Sequence, residues 1–142
     1  MNQEIAQPRV RDGKFAVRFS ATRQGARLAR LVTTEWLRSW GLPSENAGHV
    51  VAELASNAAL HGHVADRDFR IGLTVNGDTL RIEVTDARGD ALPRLPRPDD
   101  ESATGRGLLI VDALSDLWGV QVGPFPRKTV WADLSLAGGA RG

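Results

Sequence analysis

Glu53, Asn57 and His61 stand four residues apart in the run Glu53-Leu54-Ala55-Ser56-Asn57-Ala58-Ala59-Leu60-His61-Gly62. In a helix a step of four advances only about 40° round the axis, so the three side chains form one narrow polar stripe. Ala47, Val50, Val51, Leu54 and Ala58 fall directly beside that stripe on the same wheel. A solvated helix carries its polar groups opposite its apolar face; polar groups on the shoulder of that face line the wall of a pocket. A case for chemistry at this stripe needs partners from elsewhere in the chain. Taken alone, the stretch fits at least as well a core-edge helix whose Asn and His satisfy nearby backbone groups.

Two further segments supply partners. Asp86 closes the run Val84-Thr85-Asp86 and is followed by Ala87-Arg88-Gly89. A carboxylate at a strand end can accept a hydrogen bond from an amino group such as adenine N6, an interaction of about 1.5–3 kcal/mol. An ordinary turn Asp explains the same residues. Thr104-Gly105-Arg106-Gly107-Leu108 then opens an apolar helical run, so its backbone N–H groups and the helix start behind them suit phosphate oxygens. Neither the Walker A spacing nor G-x-G-x-x-G is present, and a plain helix-start turn would also carry two glycines.

The three segments in this order resemble the ATP-binding domain shared by gyrase-type ATPases, sensor histidine kinases and anti-sigma-factor serine kinases, the GHKL or Bergerat-fold superfamily. The resemblance spans roughly residues 15–135 and includes Gly105-Arg106-Gly107-Leu108-Leu109-Ile110-Val111-Asp112-Ala113-Leu114. Gly119-Val120 and Lys128-Thr129-Val130-Trp131 are similar to the short anti-sigma-kinase-like regulators of actinobacterial type. The resemblance implies that Asn57 gives its side-chain oxygen to Mg²⁺ and that Glu53 acts as general base or orients the nucleophile. It implies that Asp86 recognises the adenine amino group, supported by Thr129 from the last strand. Gly89, Thr104, Gly105, Arg106, Gly107 and Leu108 would lie along the nucleotide, the glycines giving backbone to its phosphates, and His61 would orient or cap.

ATP and Mg²⁺ are therefore the expected ligands, and serine/threonine phosphorylation of a small anti-sigma-factor antagonist is the expected activity. Sequestration of a sigma factor and a homodimer come with the same resemblance. A non-catalytic ATP-binding partner switch is the alternative, and a relative that no longer binds nucleotide is a third. The chain departs from the larger ATPases in its thinner glycine content and in Ala87-Arg88-Gly89 after Asp86. Within 142 residues neither a phosphoacceptor helix pair nor a transducer domain is expected.

These residues need elements to hold them. Phe15 to Ser20 alternates as a strand, and Leu28, Leu31, Val32, Trp36 and Trp40 recur at three and four as the inward stripe of a first helix over 23–40. Gly41-Leu42-Pro43 stops it, and Ser44 with Glu45 starts the second helix, which runs to Gly62. Residues 70–75 and 79–85 alternate on either side of Asn76-Gly77-Asp78, a strong hairpin signal. Residues 87–104 lose periodicity, which fits a lid or binding loop or else a disordered insertion; the resemblance implies that about 90–104 closes as a lid over the ligand. A third helix over 107–117 turns Leu108, Val111, Leu114 and Leu117 inward, and strands at 118–122 and 129–134 follow. Trp36, Trp40, Trp118 and Trp131 are read as core. The class is α+β: a two-layer sandwich with helices on one face of a mixed, mostly antiparallel sheet. One domain over 14–136 is expected, between a flexible lead-in over 1–13 and a flexible tail over 137–142.

Bulk properties remove other classes. The 142 residues suit one domain that buries about two-thirds of its unfolded surface. A net charge of +1 without a dense basic run gives little support to direct nucleic-acid binding. The absence of Cys excludes disulfides and thiolate metal sites. His61 and His63 lack a zinc-site pattern, and Ser56 lacks a triad context. With no apolar h-region near Met1 and no run of about 18 apolar residues, a cytoplasmic protein without membrane association is expected.

Overall fold

The computed structural model describes residues 12–60, 68–86, 105–124 and 127–136. The elements are β1 (Asp12–Ser20), α1 (Arg23–Ser39), α2 (Glu45–Leu60), β2 (Asp68–Asn76), β3 (Thr79–Asp86), α3 (Gly105–Leu114), β4 (Leu117–Val122) and β5 (Lys128–Ser135). The strands form one sheet in the order β1-β2-β3-β5-β4, and every pairing is antiparallel. The expected α+β sandwich is present, and among the described residues it lacks the parallel pairing that a mixed sheet would contain.

Local chemistry explains the boundaries. Thr22 caps α1, its hydroxyl oxygen accepting from the Gly25 N–H at 2.9 Å. At the other end the Leu42 N–H donates to Leu37 and the Gly41 N–H to Arg38, with Gly41 at φ 71°. That paired closure needs a left-handed residue, which glycine adopts without a Cβ clash. Gly77, at φ 62°, makes the tight β2–β3 turn for the same reason.

Alternation divides the sheet into two faces. Phe69, Ile71, Leu73 and Val75 of β2, Leu80, Ile82 and Val84 of β3, and Val130, Ala132 and Leu134 of β5 are buried under the helices. Val50, Val51, Leu54, Ala55 and Ala58 of α2 are buried with them. Leu54 is 2% exposed, so truncation to Ala would cost about 2–5 kcal/mol. The other face carries Arg81, which bonds Asp133 through two contacts of 2.7 and 2.8 Å and lies 4.3 Å from the Trp131 ring centroid. Hydrogen bonding to Asp133 raises the Arg81 pKa above its ordinary value; burial opposes this, and the charges of Asp133 and Glu83 add to it.

Several expectations are corrected here. α1 buries Gly25, Ala26, Ala29, Thr33 and Leu37, whereas Leu28 and Leu31 are 44% and 60% exposed. The inward face is the one made of small residues, because close approach to its neighbours leaves no room for leucines at those positions. A Cβ on Gly25 would stand 1.9 Å from the Ser20 carbonyl oxygen. Leu117 belongs to β4 and is exposed, since α3 ends at Leu114. Trp131 stacks under Arg81 on the open face, whereas Trp36 and Trp118 pack against the core as expected, with Trp118 Nε1–H donating to Asp112 at 2.9 Å. Trp36 packs on Phe15 at 5.2 Å and on Trp40 at 5.1 Å, as an aromatic cluster at the β1 edge.

Candidate functional site

The layers bring the sequence motifs to one end of the molecule. Asn46 and Ala47 at the start of α2 share a groove with Leu80 at the start of β3, Ser115 just past α3, and Leu134 in β5. From that shared level, ten helical residues carry α2 about 15 Å to Asn57, and six strand residues carry β3 about 20 Å to Asp86. α2 and β3 thus run side by side in the same sense. α3 and β5 run back against them, so Gly105, Gly107 and Lys128 return to the Asn57–Asp86 end.

A direct contact confirms the α2–α3 alignment. An ideal Cβ on Gly107 would lie 2.6 Å from Glu53 Oε1, 3.5 Å from Glu53 Cβ and 3.6 Å from its Cδ. The Glu53 carboxylate therefore rests against the third residue of α3. Glu53 and Asn57 are both half-buried, as their position on the shoulder of α2 requires. Leu108 is buried at 3% exposure, so its side chain serves the core and only its backbone can face a ligand.

Asp86 is buried, and its cross-strand partner is Lys128. Lys128 Nζ lies 3.6 Å from Asp86 Oδ2, with side-chain exposures of 6% and 5% for Lys128 and Asp86. The sequence suggested for Lys128, as for Arg106, only neutralisation of phosphate charge, with no motif behind it. Its signal was available: Lys128, Val130, Ala132 and Leu134 alternate, which places the lysine on the buried face of β5. Thr129 consequently points the other way. Its Oγ1 pairs with Thr85 Oγ1 at 2.8 Å on the open face, so the structure does not bring Thr129 to Asp86. A register one residue out moves a side chain across the sheet.

His61, Gly89 and Thr104 lie outside the described residues, as does the expected lid; Gly105 and Arg106 are placed as the first turn of α3. Among the described residues no group of three or more His, Asp or Glu side chains could hold a metal ion. An ion at Asn57 would take its remaining ligands from phosphate and water. No described helix is long and apolar enough to cross a membrane.

The arrangement offers a carboxylate against a helix start, an amide one turn on, and a buried acceptor–donor pair at the ends of two central strands. These suit, respectively, proton transfer beside phosphate, cation ligation, and recognition of a flat polar edge. The model of the histidine kinase-like ATPase domain matches residues 19–130. No curated protein sequence matches. Among solved structures, the chain is similar to the RsbU and RsbW domains of Rv1364c from Mycobacterium tuberculosis, with a TM-score of 0.66 and 21% identity. That match covers 87% of this chain but only 32% of the other, so this chain spans about a third of its length. The match over 112 of 142 residues, on the fold and site just described, places this chain in the histidine kinase-like ATPase domain family.

Proposed function

We propose that this chain binds ATP with Mg²⁺ and transfers the terminal phosphoryl group to a Ser or Thr hydroxyl of a small partner protein. The partner in this reading is an anti-sigma-factor antagonist, and the chain sequesters a sigma factor until the antagonist displaces it. The observation that carries the catalytic part is the Glu53 carboxylate seated against Gly107. Nucleotide binding alone does not require a carboxylate beside the phosphate-facing helix start, where it would repel the phosphates. A general base belongs there.

In the proposed reaction the partner's hydroxyl oxygen attacks the terminal phosphorus and Glu53 accepts its proton. The bond from phosphorus to the bridging oxygen breaks, and ADP leaves with that oxygen. Asn57 would hold Mg²⁺, which would neutralise charge on the phosphates, and backbone N–H groups at Gly105 and Gly107 would face their oxygens. Asp86 accepts from the adenine amino group. The homodimer and the cytoplasmic setting belong to the same proposal.

The test is Glu53→Gln, assayed with labelled ATP and candidate antagonists from the same genome. ATP affinity should stay within about 3-fold while transfer falls by a factor of about 10²–10⁴, the usual share of a general base. Wild-type protein that binds ATP and transfers to none of them would favour the binding-only partner switch.

A further inference from the structure

We propose that Lys128 reads the purine ring nitrogen N1 and, with Asp86, fixes the choice of adenine over guanine; this rests on the nucleotide site proposed above. The pair sits at the ends of the two central strands, Asp86 last in β3 and Lys128 first in β5, on the helix-covered face. Both are buried, with 3.6 Å between Nζ and Oδ2. A buried ion pair contributes little net stability, because desolvation offsets the attraction, and an apolar pair of similar size often serves a fold as well. Sheet stability therefore does not explain it. Nor does general basicity: the 18 basic residues are Arg except for Lys14 and Lys128. At the one buried cationic position among the described residues stands the compact, three-donor ammonium rather than the planar guanidinium.

Side by side, a carboxylate and an ammonium present an acceptor next to a donor. Adenine's edge offers the matching order, the N6 amino group donating and the neighbouring N1 accepting. Guanine in the same pose would set O6 against the carboxylate and N1–H against the ammonium, so both contacts become repulsive. With the ribose and phosphates held toward α3, the base cannot turn over to exchange them. Ligand groups that leave a buried partner unpaired are rejected strongly.

The experiment measures dissociation constants of ATP, GTP and 1-deaza-ATP, in which N1 is replaced by C–H, for wild type and Lys128→Met. Wild type should bind 1-deaza-ATP at least about 10-fold more weakly than ATP, and GTP more weakly still. Lys128→Met should bind ATP and 1-deaza-ATP equally. A lysine that only supports the sheet would weaken both nucleotides by the same factor and leave their ratio unchanged, which overturns the inference. Equal binding of the two by wild type also overturns it, and needs no folded variant. If Lys128→Met does not fold, Lys128→Gln, which retains an N–H donor, should show a reduced but measurable preference for ATP; an undiminished one counts against the role. Wild type that binds no ATP removes the nucleotide site itself, whereas ATP binding without discrimination at N1 removes only the part assigned to Lys128.

Discussion

Glu53 and Gly107 touch across the α2–α3 interface, where the carboxylate oxygen occupies the space a side chain at 107 would need. A methyl group there would stand 2.6 Å from Oε1 but at ordinary contact distance from the rest of Glu53. Only the carboxylate has to move. The contact therefore lets the position of the proposed base be altered without removing it.

Gly107→Ala should fold normally, with stability changed by no more than about 1 kcal/mol, because Ala is the better helix former. Phosphoryl transfer should fall by about 10²-fold, as expected when a catalytic group is displaced by an ångström. Thermal unfolding and a single-turnover transfer assay give the two readings. Full activity in a folded Gly107→Ala protein would detach Glu53 from catalysis.

Asp86→Asn should destabilise the fold by about 3 kcal/mol, because it leaves the Lys128 ammonium without its buried counter-charge. Adding Lys128→Met should recover most of that loss. Urea denaturation of the two single variants and the double variant measures the coupling, and additive losses would mean the two charges do not act as a pair.

Arg81→Ala removes the bidentate bond to Asp133 and the stack on Trp131, both on the open face of the sheet. The guanidinium side chain is 42% exposed, so the loss should be only about 1 kcal/mol. ATP affinity should be unchanged, because the proposed nucleotide site lies on the helix-covered face. A large affinity loss in calorimetric titration would mean that the two faces communicate.

Thr33 is fully buried, and its hydroxyl has no hydrogen-bond partner among the described residues. Thr33→Val keeps the shape and removes the unsatisfied group, so stability should rise by about 1 kcal/mol. A lower melting temperature would show that the hydroxyl is satisfied after all.

Features set by neighbours in the chain were legible in the sequence. The Asn76-Gly77-Asp78 turn, the stop at Gly41 and the start at Glu45 lie where local conformational preference puts them. The inward face of α1 was not legible, because hydrophobicity marks Leu28 and Leu31 while close packing selects Gly25, Ala26 and Ala29. Composition also could not separate Trp131, stacked under Arg81, from a core tryptophan. In the site, the Glu53–Asn57 stripe and Asp86 follow from spacing and strand ends. The Glu53–Gly107 contact depends on how two helices cross, which no local pattern encodes. Lys128 was readable from alternation alone, but the family pattern drew attention one residue along to Thr129.

β5 is the last of the described strands yet lies inside the sheet, between β3 and β4, and the Thr85–Thr129 bond joins residues 44 positions apart. Until it arrives on the ribosome, β3 is a bare edge and Asp86 has no opposite number. A polypeptide cut before Lys128 should thus lose both cooperative folding and any hold on nucleotide, and newly made protein stays silent until β5 has been synthesised.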